Sequence, residues 1–587
     1  MILLFSLLIL DAAGQRIELP SLGGLMVLIS VSLAALARRR GTLTRPEIQV
    51  NFRALSLGKL ETWMAVPIAL GLGAIVLRAV VDPLSGFDTV FRWDFLARQI
   101  LRHGTLDFYP PVSAEDFERY AWCDGFAPLV SSLYLWTYLC LGHPSAVATA
   151  PVVVAQAFLI GAGVWQLAAR IGGGRAAVWA VALAASSAGL LWATAMGQES
   201  GLMTLAVLAT LNFSLRASDD PEGHWPVWAG LAAGVGALTR EYGLVLILLG
   251  LPLFLEDRLR ARHRLSFIAT FVVIAAPWHL RVWMKTGNPL FPHALGGLFP
   301  ENPAQAEYFR AVAEIYDLHG KLDRATAILP ALACIGLPSI MLGLAAAIRG
   351  NRECRLVILT AAAFVVLWWI SIPYTSGGYA YSFRVLAPVF ALGAALGGTV
   401  LARANAPDKS VVIKLALTLM VGDAAVRSLY LPIEPTCAWW GKSSAEWRQF
   451  NIEGEKWRRL PIWSAVSEAA GEHHVLVSDP LVHAILVRAG AKPVPLFSPQ
   501  AVPAFSSEIG ISRTIEALRR TGFRFVILTP LNPVESHWLA RHPWFSRLRS
   551  LPSEFKGGLF VIHDLYSKRL LEAARELDRS AEQGTVP

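Results

Sequence analysis

Long apolar runs, interrupted by short clusters of arginine, dominate the first three quarters of the chain. A straight helical crossing of a bilayer takes about 20 residues. Runs that reach or approach this length fall at 1–10, 21–37, 62–81, 146–169, 176–193, 201–215, 225–238, 243–255, 266–283, 326–348, 355–373, 384–402 and 409–431. They predict an α-helical polytopic membrane protein with about 11–13 transmembrane helices. Beyond residue 440 the pattern changes. VLV at 475–477, PVPLF at 493–497, FRFVILT at 523–529 and GLFVIHDL at 558–565 read as strands, and TIEALRRTG at 514–522 as a helix ending in glycine. A small α/β domain over 440–587 follows.

Arginine and lysine orient the spans. Arg38, Arg39, Arg40, Arg45, Arg53 and Lys59 fill one connection, and Arg170 and Arg175 a second. Arg258, Arg260, Arg262 and Arg264 fill a third, and Arg349, Arg352 and Arg355 a fourth. The positive-inside rule places all four in the cytoplasm. The order works only if Phe126 to Leu141 does not cross, and a helix of that length reaches roughly 24 Å against a ~30 Å core. It reads as a re-entrant or surface helix inside a first large outer loop, 82–145. The chain then divides into N-terminal membrane segments with a basic cytoplasmic loop (1–61), a transmembrane core (62–431) and the α/β domain on the outer face. The opening MILLFSLLILDAAGQ looks like a short signal core but lacks a basic start, so it reads as an early membrane segment.

Composition supports this. The chain is 54% hydrophobic and 16% charged, with mean hydropathy +0.47. Soluble proteins carry about a quarter charged residues. The net charge of +9 belongs to cytoplasmic loops rather than to a nucleic-acid surface. Five scattered cysteines show neither zinc nor redox spacing, although Cys123 and Cys437 both fall on the outer side, where they could pair. No nucleotide-binding loop occurs, and Gly172-Gly173-Gly174 reads as a turn between two helices.

Candidate chemistry gathers at the outer ends of the spans. Asp88 and Asp94 follow the run that ends at Val81. An acid at the water–lipid boundary suits a general base acting between a lipid substrate and a polar one. Asp88 also suits a helix cap, and Asp94 a salt bridge to Arg98 four residues on. Their segment is amphipathic, with Phe91, Phe95 and Leu101 on one face, and predicts a helix lying along the membrane surface. Glu199 sits in a very short outer loop, as a metal or acceptor ligand or as a charge favoured at a helix N-terminus. Arg240 and Glu241 interrupt an apolar, glycine-rich stretch; they form an ion pair within the bundle or leave Arg240 to grip phosphate. His279, Arg281 and Lys285, flanked by Trp278 and Trp283, suit acceptor and phosphate contacts or an aromatic belt with snorkelling cations. Arg384 opens a span at its outer end beside Tyr379 and Tyr381 and asks for an anionic partner such as a lipid phosphate.

The segments FDTVFRWDFLARQILRHG, GLAAGVGALTREYGLVLI, PWHLRVWMKTGNPLFP and YSFRVLAP, in this order and topology, resemble the GT-C membrane glycosyltransferases. That group contains the lipid A aminoarabinose transferases and the protein O-mannosyltransferases. The resemblance covers about residues 60–430. It implies a polyprenyl phosphate sugar donor, inversion at the anomeric carbon, and a loop acid as base. The matching acid is Asp88, with Asp94 the fallback, because the acid is offset by one residue from Ala97-Arg98 relative to the family pattern. The second outer acid falls on Glu199, and the phosphate-binding cations on Arg240 and Arg384. A divalent metal ion is left open. The acceptor is an unidentified lipid, glycan or protein hydroxyl. No WWDYG-like motif occurs, which argues against an oligosaccharyltransferase. The rival readings are a lipid or polysaccharide transporter and a non-catalytic assembly protein; against transport, the charges crowd the span ends rather than line a path.

Overall fold

The computed structural model describes residues 1–39, 63–81, 83–84, 86, 88–250, 261–316, 336–348, 350–372, 381–404, 421–422, 461–505, 510–529, 533–556 and 560–583. The span expected at 409–431, apart from residues 421–422, and the residues Cys437, Tyr379, Arg40, Arg45, Arg53, Lys59, Arg258, Arg260 and Arg349 lie outside them.

Apolar sequence becomes helix wherever lipid or another helix can cover it, because helices satisfy their own backbone groups. Among the described residues six helices are long and apolar enough to cross a membrane. The N-terminal helices are α1 (Ile2–Ala12), α2 (Leu19–Arg39) and α3 (Ala65–Val81). The first large loop holds α4 (Asp94–His103), α5 (Ala114–Arg119) and α6 (Leu129–Leu141). The bundle continues with α7 (Ala150–Ser186), α8 (Ala188–Ala195), α9 (Glu199–Asp219), α10 (Trp225–Ala237) and α11 (Ala261–Thr286). After the loop helix α12 (Pro303–Tyr316) come α13 (Leu337–Ile348), α14 (Arg352–Ser371) and α15 (Ala387–Ala404).

Gly173, at φ 82°, breaks α7 into two helices, as the triple glycine implies. The halves fold back on each other, since Ala157 of the first and Leu191 beyond the second share one apolar cluster with Ile75 and Ala79 of α3. Glycine brings backbones together elsewhere in the bundle. A Cβ on Gly398 would lie 2.3 Å from the Ala176 carbonyl oxygen, so α15 sits directly on α7. Arg170 beside the break pairs with Asp219 at the end of α9 (2.5 Å) and Glu353 at the start of α14 (2.8 Å). These three ends therefore share one side of the bundle. Asp88, Glu199, Arg240 and Arg384 gather at the other.

Three sequence expectations are corrected. The segment 1–10 is not a separate crossing: α1 has 11 residues, about 16 Å of helix. Its Asp11 caps the Leu106 amide (3.0 Å) and pairs with Arg281 (2.9 Å), so α1 belongs to the first-loop assembly. Helix α4 does not lie on a lipid surface. Phe95, Leu96, Ala97, Gln99 and Ile100 are all buried, beneath α6 and the C-terminal domain. Its amphipathicity serves a protein cover instead. Asp88 is not a side-chain cap, because no cap hydrogen bond forms from it. The expectation for 126–141 is met in length: α6 has 13 residues and closes at Gly142 (φ 75°).

The C-terminal domain contains α16 (Ile462–Ala470), β1 (His474–Val477), α17 (Pro480–Ala489) and β2 (Lys492–Pro495). It continues with α18 (Ile511–Arg520), β3 (Phe523–Leu528), α19 (Pro533–Leu539), α20 (Pro543–Ser550), β4 (Phe555–Lys556), β5 (Val561–Asp564) and α21 (Lys568–Glu582). The strand order is β2-β1-β3-β5-β4. β1 pairs parallel with β2 and β3, so α17 and α18 are crossover helices, whereas β5 runs antiparallel to β3 and β4. The four expected strands are present, and β4 is an addition. This domain rests on the first loop through one continuous aromatic core: Trp122 meets Phe497 and Tyr308, and Tyr308 meets Trp538.

Candidate active site

The chain reaches the site through a sharp exit from α3. Leu84 takes a left-handed φ of 55°, and the Gly86 amide bonds to the Met196 carbonyl in the loop before α9 (3.3 Å). Asp88 then opens a one-turn π-helix, Thr89–Trp93, that leads into α4. Such wide turns cost helix stability and recur at functional sites. The turn is fixed to the bundle by Thr89 Oγ1 donating to Met196 O (3.1 Å) and by the Asp88 amide donating to Tyr381 Oη (3.1 Å).

Five residues singled out from sequence meet here. Arg384, in a single 3₁₀ turn before α15, donates from Nη2 to Asp88 Oδ2 (3.0 Å) and places Nη1 3.4 Å from Glu199 Oε1. Glu199, the first residue of α9, also pairs with Arg240 Nη1 (3.1 Å). Arg240 turns its Nε to Glu241 (3.2 Å) and stacks its guanidinium 4.2 Å from the Phe126 ring centre. Glu241 faces His293 at 3.7 Å. The acids are buried: Asp88 is 8% exposed and Glu199 1%. Glu199 Oε2 is buried with no hydrogen-bond partner among the described residues.

Sequence reasoning missed Arg92, Asp124, Gln198 and Tyr381. Arg92 bridges Asp88 (3.4 Å) and Asp124 (2.6 Å). Asp124, fully buried, also accepts from Tyr109 Oη (2.8 Å). Gln198 accepts from Arg384 and donates to Tyr381 Oη. The one available signal was a carboxylate in WCDGF, a segment otherwise apolar and small.

Three guanidiniums thus face four carboxylates. Burial pushes the Asp88 carboxyl up, but Arg384, Arg92 and Arg240 outweigh it and hold it below the usual carboxylate range. For Asp124 burial wins over Arg92, and its carboxyl is raised. The salt-bridge distance alone would suggest otherwise, but this acid is sealed from water on every side. Asp88 is therefore a carboxylate at neutral pH, restrained as a base for as long as the arginines stay on it. Arg240 has the most open side chain of the three cations, 15% exposed against 5% for Arg384 and 6% for Arg92.

The remaining candidates make their hydrogen bonds and ion pairs with partners outside this cluster. Asp94 is held by Arg98 (2.8 Å), Tyr138 Oη (2.5 Å) and Arg488 (3.6 Å). Arg281 is committed to Asp11 and to the carbonyls of Leu106 and Tyr109, and Lys285 to Asp116. His279 shares a hydrogen bond with the Pro289 carbonyl (2.9 Å). These side chains tie α11 and α4 to the first-loop assembly. Among the described residues no three His, Cys, Asp or Glu side chains form a group suited to a metal ion.

The bundle of apolar helices, with acids and arginines collected at one end against an α/β domain, has a GT-C-like fold. Residues 127–281 match the dolichyl-phosphate-mannose-protein mannosyltransferase family. The chain is similar to the archaeal oligosaccharyltransferase AglB from Archaeoglobus fulgidus, solved with an inhibitory peptide and a dolichol-phosphate, at TM-score 0.51 and 15% identity over 83% of this chain and 72% of that one. It is equally similar to ArnT from Cupriavidus metallidurans, solved with undecaprenyl phosphate, at TM-score 0.51 and 15% identity over 86% of this chain and 98% of that one. No curated protein matches the chain. At this identity the likeness is one of fold.

Proposed function

We propose that this protein is an inverting glycosyltransferase that takes a sugar from a polyprenyl phosphate carrier and places it on an acceptor hydroxyl. The observation that carries the reading is the Asp88 carboxylate held by Arg384 at the bundle end where Glu199 and Arg240 also meet. Prenyl phosphates bound to AglB and ArnT support the donor class. The positive-inside rule supports an extracytoplasmic site, since Arg38, Arg39, Arg170 and Arg175 belong to the opposite side.

The chemistry follows from charge. A donor phosphate brings negative charge to arginines already matched by carboxylates, so it binds by drawing guanidiniums away from them. Arg240, the more open cation, meets it first and Arg384 follows. As Arg384 turns to phosphate, Asp88 loses its strongest counterion and becomes a better base. The acceptor oxygen attacks the anomeric carbon, its proton passes to Asp88, and the carbon–oxygen bond to phosphate breaks. The bonding pair leaves on the phosphate oxygen, where Arg240 and Arg384 stabilise it. One displacement inverts the centre.

Asp94 stays the fallback base, but its three partners argue for a structural role. Arg281 and Lys285 are left out because α1 and α5 hold them. Among the described residues a divalent ion finds no fitting ligand set, since each cluster acid already faces a guanidinium or, for Glu241, a guanidinium and His293. The reading therefore uses no metal.

The test is transfer of labelled sugar by membranes carrying the chain, over a panel of polyprenyl phosphate hexoses and pentoses, with the anomeric configuration read by NMR. Inverted product from one donor supports the reading. Retained configuration contradicts it, and no transfer from any donor returns the transporter and assembly readings.

A further inference from the structure

The π-helical turn that carries Asp88 is too short to hold itself. Five residues of wide helix fix many dihedrals for few hydrogen bonds. One side of the turn is fixed to the bundle through Thr89 and the Asp88 amide. The other side rests on the C-terminal domain. Val90, two residues after Asp88, packs into that domain's apolar core, which contains Leu481, Val482, Ile485 and Leu486 of α17. Helix α17 lies directly against the turn.

A second contact of α17 locks the same region. His483, fully buried, shares a hydrogen bond from Nε2 with the Phe117 carbonyl (2.9 Å) and presents its ring edge-on to Phe95 at 6.1 Å. Burial pushes its pKa down to about 4, against the hydrogen bonds to backbone carbonyls. The ring is neutral across physiological pH, so this joint does not loosen with ordinary pH changes. Arg488, at the end of α17, reaches Asp94 at 3.6 Å, the first residue of the helix that follows the turn.

We propose that the C-terminal α/β domain is a positioning part of the active site: α17, seated on Val90 and joined through His483, holds the turn so that Asp88 faces Arg384. This rests on the reading of Asp88 as the base. Val90 and His483 touch no reacting atom; they act through the backbone that carries Asp88.

The experiment compares full-length wild type with Val90→Ala, Val90→Ile and, as a surface control in the same domain, Lys492→Gln. Backbone amide exchange over 88–95 and kcat and KM for the donor are both measured, with thermal unfolding as a check on folding. Val90→Ala is expected to speed exchange over 88–95 about tenfold and to lower kcat by ten- to a hundredfold, with donor KM within about twofold. Val90→Ile is expected to restore both, and Lys492→Gln to leave both unchanged. Unchanged exchange over 88–95 in Val90→Ala overturns the proposal, as does faster exchange with wild-type kcat or a loss confined to KM. If wild type transfers from no donor, the functional reading falls, and the exchange data alone still decide whether α17 holds the turn.

Discussion

Arg384 Nη2 donates to Asp88 Oδ2 at 3.0 Å, joining the exit of α3 to the entry of α15 across 296 positions of sequence. The same guanidinium reaches Glu199, so one cation ties together acids from two different loops. It also sits 4.2 Å from the Tyr381 ring, which excludes water from its face. Under the proposed function, this places Arg384 both to quench the base at rest and to release it when phosphate arrives.

Arg384→Gln is therefore expected to damage two steps. Phosphate loses a buried, charge-assisted contact, and Asp88 and Glu199 lose their shared counterion. Loss of one such donor lowers kcat by about 10²–10³. Arg384→Lys is expected to restore little, because an ammonium cannot span Asp88 and Glu199 as a planar fork does. Steady-state kinetics over donor concentration check both variants.

In the proposed mechanism, the proton affinity of Asp88 sets the acid limb of the rate profile. Its folded value is depressed, so the stability it contributes is present above the unfolded value and is lost only as pH falls through the folded one. Neither stability nor rate is expected to titrate from this group between about pH 7 and 5. Asp124→Asn hands Arg92 wholly to Asp88. The acid limb is then expected to move further down and kcat to fall about tenfold. Because the Asp124 carboxyl is raised, the stability it contributes is present below its unfolded value and is lost as pH rises through the folded one. A neutral asparagine there is expected to fold well. Rate and thermal melts from about pH 2 to about pH 8 read both effects.

Chelation gives a separate check. Each cluster acid already has its cation in arginine or histidine, so millimolar EDTA is expected to leave transfer within about twofold of the untreated rate. A collapse on EDTA with rescue by one added divalent ion contradicts the metal-free reading.

The bundle itself makes a prediction far from the site. Gly398→Ala puts a Cβ 2.3 Å from the Ala176 carbonyl oxygen, which is backbone and cannot rotate away. Overpacking of this kind costs about 1–3 kcal/mol. A lower Tm in detergent is expected, with kcat of the remaining folded protein near wild type.

How much of this was legible in sequence depended on where each residue's partner lies. Asp88, Glu199, Arg240 and Arg384 stood out because charges at the ends of apolar runs are costly. Arg281 looked identical by that criterion, yet its partner Asp11 lies 270 positions away, in a segment read as a span. Helix α4 was ambiguous for a similar reason: one apolar face fits a bilayer surface and a protein cover equally well, and only the folded α6 and α17 decide. Asp124 sat in an unremarkable loop, its role set by Arg92 and Tyr109 from other segments. The α/β domain was readable because strand runs and a glycine-ended helix are local signals. Its place against the turn after Asp88 was not, since the contacts that make it, Val90 on α17, His483 on Phe117 and Arg488 on Asp94, join segments far apart in sequence.

The central claim is that Asp88 takes the acceptor's proton. The direct measurement is sugar transfer by Asp88→Asn against wild type at equal membrane expression, with the preferred donor saturating. Asparagine keeps the size and can still meet Arg384, so donor binding should survive. The account predicts a fall in kcat of at least ~100-fold with little change in donor KM. Transfer within a few-fold of wild type would contradict it and move the base to another acid, Glu199 or Asp94.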